Sequence, residues 1–134
     1  MGLVRAEFIF TGLRQARAAV ALVDTGGLRC VLPVAWAQEV GVHLVGRERL
    51  QLAEGRIVGA PLGSLWVSYG RPERRVLMSD AFLEADEPVV GVEALEGLGL
   101  YVDPREPSAD ARLVDTGRMP AQRLLTLTRP KPAE

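Results

Sequence analysis

The sequence predicts a single all-β domain: its strand pattern indicates the fold class, and its length and composition indicate one globular domain. Short apolar or alternating runs are separated by Gly, Pro and charged residues, a pattern typical of many short strands joined by turns. The 134 residues are enough for one domain with a core of its own. A hydrophobic fraction of 48% and a charged fraction of 25% are ordinary for a globular protein, so a disordered or collagen-like chain is excluded.

Charge and cysteine content exclude several classes of protein. The 16 basic and 17 acidic residues nearly cancel, so nothing in the composition favours nucleic acid or an anionic membrane as a partner. Cys30 is the single cysteine, which excludes an intrachain disulfide and a cysteine-based zinc cluster. No apolar run approaches the roughly 18 residues of a membrane span, and residues 1–6 lack a signal-peptide pattern. We therefore expect a cytoplasmic protein with no nucleic-acid or membrane partner.

The first half of the chain predicts five strands and a short helix. Pro33 ends the third strand and suits the first position of a helix, which is predicted over residues 34–40 and ended by Gly41. Glu54-Gly55 joins the last two strands in a hairpin. The predicted strands are rich in apolar or β-branched residues, or alternate apolar with polar ones, at residues 3–10, 17–23, 30–32, 49–53 and 56–59.

The second half predicts four more strands and a second helix. A turn at residues 70–73 joins the first two of these strands, and an acidic loop at residues 84–87 precedes the third. Val92, Leu95 and Leu98 recur at helical spacing and indicate the helix. The four predicted strands are residues 65–69, 75–79, 89–91 and 100–102.

The domain is expected to span residues 1–104. Residues 105–134 are rich in Pro and polar residues, which predicts a loose C-terminal extension. Leu124, Leu125 and Leu127 make residues 123–128 the candidate for one strand within it.

The sharpest feature is Asp24, which follows the apolar strand at residues 17–23 and precedes Thr25-Gly26. An acid placed here lies where the backbone turns sharply and directs its carboxylate into a cleft. Burial without a partner disfavours the charged form of a carboxylate, so the position calls for a reason. Two reasons stay open from the residues alone: the acid caps its own turn, or it performs chemistry.

Several pieces follow Asp24-Thr25-Gly26 in a distinctive order. A short strand and a helix come first, and the hairpin at residues 54–56 lies about 30 residues downstream of Asp24. Val89-Val90-Gly91, a short helix and a closing strand complete the series. In this order the pieces closely resemble the retropepsin-like family, the single-domain aspartic peptidases of retroviral type and their bacterial and archaeal relatives. The resemblance covers residues 2–104.

The resemblance implies a closed β-barrel of the acid-protease type that forms a homodimer about a two-fold axis. Each subunit gives one Asp24 to a shared pair of carboxyls, which hold one proton because like charges at close range cannot both ionise. The ionised carboxyl activates a water that attacks a peptide carbonyl, without metal, cofactor or covalent intermediate. Thr25 locks the two active-site loops across the axis, and Gly26 allows close backbone approach. The implied activity is that of an aspartic endopeptidase acting on peptide or unfolded polypeptide.

The hairpin tip formed by Glu54, Gly55 and Arg56 resembles the flap that closes over substrate in this family. Gly27 departs from the family pattern, which has Ala or Ser directly after Asp-Thr-Gly. Extra backbone freedom at this position loosens the loop that aims the acid, so it concerns catalytic efficiency more than fold. Family members often interleave terminal strands, which makes the strands at residues 3–10 and 123–128 the candidates for the dimer contact.

Other interpretations stay open. The same barrel without activity is a dimeric module that binds extended peptides, an interpretation that Gly27 favours, and a purely structural β-domain is another. The repeated motif Val114-Asp115-Thr116-Gly117 suggests both acids in one chain, but too few residues follow it for a second core, so Asp115 is expected to be a turn residue. A thiol peptidase built on Cys30 and His43 is disfavoured because Cys30 lies in an apolar strand.

Overall fold

Nine strands and two short helices make up the part of the chain that the computed structural model describes, which is residues 4–51, 54–70, 75–103 and 112–115. The mostly-β class with one or two short helices is therefore confirmed. In chain order the elements are β1 (Val4–Thr11), β2 (Ala16–Val23), β3 (Cys30–Pro33), α1 (Trp36–Glu39), β4 (His43–Gln51), β5 (Ile57–Tyr69), β6 (Arg75–Ala85), β7 (Val89–Val90), α2 (Val92–Gly97), β8 (Leu100–Asp103) and β9 (Arg112–Asp115).

Seven strands form one sheet in the order β1-β2-β7-β3-β6-β5-β4, and β1 pairs in addition with β5. Most neighbouring strands are antiparallel, but β7 runs parallel to β2 and β3 runs parallel to β6. β8 and β9 form a separate antiparallel pair. This order places β7 between β2 and β3, so the segment after Asp24 lies beside a part of the chain that is distant in sequence.

Alternating side chains of these strands form the main core, and aromatic rings lie at its centre. Phe8 and Phe10 of β1 are buried, and Phe10 packs edge-on against Trp36 of α1 with the ring centroids 5.1 Å apart. The guanidinium of Arg17 lies 4.8 Å from the centroid of Trp36 and forms an ion pair with Glu39 at 2.6 Å. Because a four-residue helix has little stability of its own, these contacts with β1 and β2 hold α1 in place.

A second, smaller apolar cluster supports the β4–β5 hairpin. Ala60, Leu62 and Phe82 are buried in it, and Val31 and Leu50 pack against it. These residues belong to β3, β4, β5 and β6, so the cluster joins the hairpin to the rest of the sheet.

β5 is one long strand where two short ones were predicted. Pro61 lies in its middle, opposite Arg47 of β4, and pairing with β6 begins only at Leu62. A proline lacks the N–H that a strand with two neighbours needs, and it is tolerated where a strand has a neighbour on one side. The sheet therefore accommodates Pro61, and β5 continues through the gap between the two predicted strands.

β4 and β6 are also longer than predicted. β4 begins at His43, six residues before the predicted start, and nearly all of its residues are exposed. β6 continues to Ala85, into the stretch predicted as an acidic loop, because residues 81–83 pair with residues 30–32 of β3. Pairing with distant strands, rather than local alternation, fixes the length of both elements.

The predicted first helix starts later than expected. Pro33 is the last residue of β3 and pairs with Ala85 after a register shift, and α1 begins at Trp36. The prediction that Pro33 opens the helix is therefore wrong, because the pairing with β6 extends β3 through the proline.

Asp115 is the last residue of β9, opposite Leu100 of β8, so the prediction of a turn residue is wrong. The polar local sequence conceals the strand because its partner, β8, supplies the pairing. The candidate strand at residues 123–128 and the turn residues 71–73 lie outside the described residues. No helix among the described residues has the length and hydropathy of a membrane span.

Replacement of Phe10 by Ala is expected to lower the free energy of unfolding by about 3–5 kcal/mol, because the ring is fully buried and its removal leaves a cavity beside Trp36. Urea unfolding followed by fluorescence measures the loss. Leu13→Ala is the control, since Leu13 is 78% exposed, and we expect it to cost less than about 1 kcal/mol. Equal losses for the two variants contradict the assignment of Phe10 to the core.

Candidate active site

Asp24 lies directly after β2, where the backbone is fixed from the side by β7. Leu22 and Val23 pair with Val89 and Val90, and the N–H of Asp24 donates a hydrogen bond to the carbonyl of Val90 at 3.0 Å. The predicted placement of the acid at the end of an apolar strand is therefore correct.

The Asp24 carboxylate caps the turn that follows it. The N–H of Gly26 donates to Asp24 Oδ1 at 2.9 Å, and the N–H of Gly27 donates to the carbonyl of Asp24 at 3.3 Å. The side chain of Asp24 is nevertheless exposed, as are Thr25 and Gly26. One oxygen of the acid is thus held by the turn while the group as a whole remains open to solvent.

The glycines after Asp24 lie directly against its carboxylate. A Cβ atom at Gly26 would stand 3.3 Å from Oδ1, and one at Gly27 would stand 3.1 Å from Oδ2. Both distances are shorter than ordinary van der Waals contact, so a side chain at either position presses on the carboxylate. The departure at Gly27 therefore concerns the position of the acid itself.

The loop after Asp24 rests on the beginning of α2. The N–H of Val92 donates to the carbonyl of Gly27 at 2.8 Å, and the N–H of Glu93 donates to the carbonyl of Leu28 at 2.9 Å. A Cβ at Gly91 would lie 2.5 Å from the carbonyl oxygen of Arg29 and 2.8 Å from that of Gly27. Backbone atoms cannot move aside easily, so only glycine at position 91 permits this approach.

A cleft of about 620 Å³ opens beside Asp24. Its residues come from the loop after β2 and the start of β3, from β4, and from β6. Both charged and apolar side chains line the cleft. Its lining residues are Asp24, Gly26, Gly27, Leu28, Arg29, Val31, Glu48, Arg49, Leu50, Gln51 and Phe82.

The predicted hairpin is present, and its strand β4 contributes to the cleft. Its tip does not: Glu54, Gly55 and Arg56 are exposed and are absent from the cleft lining. Arg56 forms an ion pair with Glu54 at 3.1 Å, and Gly55 has a φ of +96°, a conformation that favours glycine. Thr25 also lies outside the lining. The structure therefore brings Asp24 and Gly26 together with β4 at the cleft, and leaves Thr25 and the hairpin tip on the surface.

Arg29 and Glu48 are site residues that the sequence analysis missed. The guanidinium of Arg29 contacts Asp80 Oδ2 at 3.1 Å and Glu48 Oε1 at 3.5 Å. These three residues belong to the segment before β3, to β6 and to β4, so no spacing in the sequence could have signalled their contact. Gly91 was read as the end of a strand, and its role in supporting the loop was missed for the same reason.

Cys30 is fully buried, and its Sγ lies 3.7 Å from Ser79 Oγ. Burial raises the pKa of this thiol above its usual range, which disfavours the thiolate that a nucleophile requires. His43 is exposed at the start of β4. In the described ranges, no three His, Cys, Asp or Glu side chains cluster as metal ligands would.

The chain matches no known protein-family model, and no curated protein matches it. Among solved structures it is similar to a retropepsin-like aspartic protease from Rickettsia conorii, with 20% sequence identity and a TM-score of 0.47. The alignment covers 77% of this chain and 89% of that one.

Gly91→Ala is expected to lower the free energy of unfolding by about 1–3 kcal/mol, because the added methyl group clashes with the backbone of Arg29 and Gly27. The φ of Gly91 is −95°, which alanine adopts without strain, so the loss is steric. Denaturant unfolding measures it.

Gly59→Ala serves as the matched control, since a Cβ there lies 4.0 Å from the nearest atom, the end of the flexible Arg47 side chain. We expect that variant to remain within about 0.5 kcal/mol of the wild type. A Gly91→Ala variant of unchanged stability contradicts the close crossing.

Proposed function

We propose that this protein is an aspartic endopeptidase that works as a homodimer, with Asp24 of each copy as the catalytic acid. The observation that carries the proposal is the setting of Asp24: an exposed carboxylate, held by the N–H of Gly26, at a cleft whose other lining includes the strand β4. An acid in this setting is fixed in position yet accessible to water and substrate. Both properties are needed in a general acid or base.

The proposed dimer supplies the second carboxyl. Hydrolysis by this chemistry needs two carboxyls that share one proton, and a single copy of the loop provides one. Asp24 and Thr25 are exposed side by side, so both are available to the same loop of a second copy. Supporting the proposed barrel, β1 pairs with β5 as well as with β2, which links the first strand to the far side of the sheet.

The proposed reaction is direct attack of water on the peptide bond. The ionised Asp24 removes a proton from water as its oxygen attacks the scissile carbonyl carbon, and the protonated Asp24 of the second copy donates its proton to the carbonyl oxygen. The tetrahedral intermediate then collapses and its C–N bond breaks. The Asp24 that took a proton from water transfers this proton to the nitrogen, and the amine is released. The N–H of Gly26 holds Oδ1 of Asp24, the acid that removes the proton, in place.

The proposed substrate is an extended polypeptide lying along β4. The cleft includes four consecutive residues of this strand, 48–51, whose backbone suits the strand-like hydrogen bonds of an extended peptide. We assign the hairpin tip at Glu54, Gly55 and Arg56 to a flap, because all three residues are exposed and a Cβ at Gly55 would meet no atom within 4 Å.

A dimeric peptide-binding module without activity is the second candidate, and Gly27 is the observation that favours it. A Cβ at position 27 would lie 3.1 Å from Oδ2 of Asp24, so the glycine leaves that oxygen without a side chain to confine it on that side. If the Asp24 carboxylate turns away from the attacking water, the cleft can still bind a peptide, but the protein no longer catalyses its hydrolysis.

Asp24→Asn is expected to abolish peptide cleavage, because an amide cannot accept the proton from water. The assay incubates purified protein with an unstructured polypeptide from about pH 4 to pH 7 and follows fragments by mass spectrometry. Asp86→Asn, an exposed acid in the bend between β6 and β7, is the control and should cleave as the wild type does. Cleavage by the Asp24→Asn variant contradicts the peptidase proposal; binding without cleavage by the wild type supports the module instead.

The protein is expected to be a dimer at micromolar concentration, since one chain carries half of the proposed pair of acids. Sedimentation velocity on the wild type and on Asp24→Asn measures the state without reference to activity. A protein that remains monomeric at every concentration tested contradicts both the peptidase and the dimeric module.

A further inference from the structure

A single neighbouring strand supplies the backbone pairing that holds β4 at the cleft. β4 is the last strand of the seven-stranded sheet and hydrogen-bonds to β5, and nearly all of its residues are exposed. A register shift between Leu44 and Gly46 interrupts the pairing near its start. Beyond its pairing with β5, the attachment of β4 to the domain therefore depends on the side chains that point from β4 toward the other strands.

Two such side chains follow each other at strand spacing. Leu50 packs against the apolar cluster of Ala60, Leu62 and Phe82, and Glu48, two residues earlier and thus on the same face, pairs with Arg29 at 3.5 Å. The contact of Arg47 with the carbonyl of Gly59 stays within the hairpin. Leu50 supplies an apolar attachment to the domain, and Glu48 supplies an ionic one.

Arg29 is suited to be the fixed end of this ionic attachment. Its backbone belongs to the loop that rests on α2, and its side chain, 23% exposed, is already held by Asp80 of β6 at 3.1 Å. A guanidinium that is held by one carboxylate loses less conformational freedom when it binds a second. Without Arg29, the carboxylates of Glu48 and Asp80, both within 3.5 Å of its guanidinium, would be like charges with no cation between them.

We propose that Arg29 is a positioning residue that fastens β4 over the cleft through Glu48, so that this ion pair sets how readily the hairpin lifts to admit a polypeptide. The tether is a property of the free protein. Its consequence for peptide cleavage rests on the proposed function.

Hydrogen–deuterium exchange on the full chain, without substrate, tests the tether. In Glu48→Gln the amides of residues 48–51 and 57–60 should exchange about two- to fivefold faster than in the wild type, while β1 and β2 stay unchanged. Glu39→Gln is the control, because it breaks another Arg–Glu pair whose acid is similarly exposed, Arg17 with Glu39, and this pair joins β2 to α1 rather than the hairpin to the domain. Unchanged exchange in Glu48→Gln, or equal acceleration in the control, overturns the proposal.

A double-mutant cycle identifies Arg29 as the partner. In an Arg29→Gln background, Glu48→Gln should no longer accelerate exchange at the hairpin, since the cation it pairs with is gone. Raising NaCl from about 0.05 M to about 1 M should accelerate the wild-type hairpin toward the rate of Glu48→Gln and leave that variant unaffected. Additive effects of the two substitutions overturn the assignment.

Kinetics separates this inference from the proposed function. If the protein cleaves peptides, Glu48→Gln should raise KM about two- to fivefold with a smaller change in kcat, because the cleft holds its substrate less firmly. An unchanged KM contradicts the consequence for substrate entry. A wild type that cleaves nothing overturns the peptidase, and the exchange rates still decide the tether.

Discussion

The site depends on one close backbone crossing, where the loop after Asp24 passes Gly91. Three hydrogen bonds span it: from Asp24 to Val90, and from the first two amides of α2 to the loop. A Cβ at position 91 would stand 2.5 Å from a carbonyl oxygen, so the bonds can form only because that position is glycine. The parallel pairing of β2 with β7 brings Val90 beside the end of β2, and the crossing therefore lies there.

The position of the charged groups follows from this crossing. With its backbone fixed, the turn at Thr25-Gly26 directs one oxygen of Asp24 onto an amide and leaves the acid at the surface of the cleft. The same fixed loop carries Arg29, whose guanidinium reaches carboxylates on two strands. A single rigid segment thus sets both the acid and the charged contact beneath β4, and a disturbance at Gly91 reaches both.

The sequence predicted those elements that are determined by residues close to one another in the chain. Apolar and β-branched runs identified β1 and β2, the turn at Glu54-Gly55 identified the hairpin, and the spacing of Val92 and Leu95 identified α2. Strands fixed by distant partners were misjudged in length: the exposed first part of β4, before residue 49, carries no strand pattern, and β6 continues because β3 pairs with it. Within the site, Asp24 was predictable because an acid that ends an apolar strand is unusual. Arg29 and Glu48 were not, since a charged residue has the same sequence pattern whether it is solvated or paired across the fold.

The exposed edge of β4 can pair with other chains, which makes it a potential site of aggregation. An outer strand presents backbone donors and acceptors that another chain can join, which is how intermolecular sheets and aggregates begin. The run Arg47-Glu48-Arg49 and the irregular backbone before it oppose such stacking, because copies stacked in parallel register would place like charges side by side and would have to match a bend. A chain of different sequence does not bring that repulsion with it, so the charged run acts against self-association in particular.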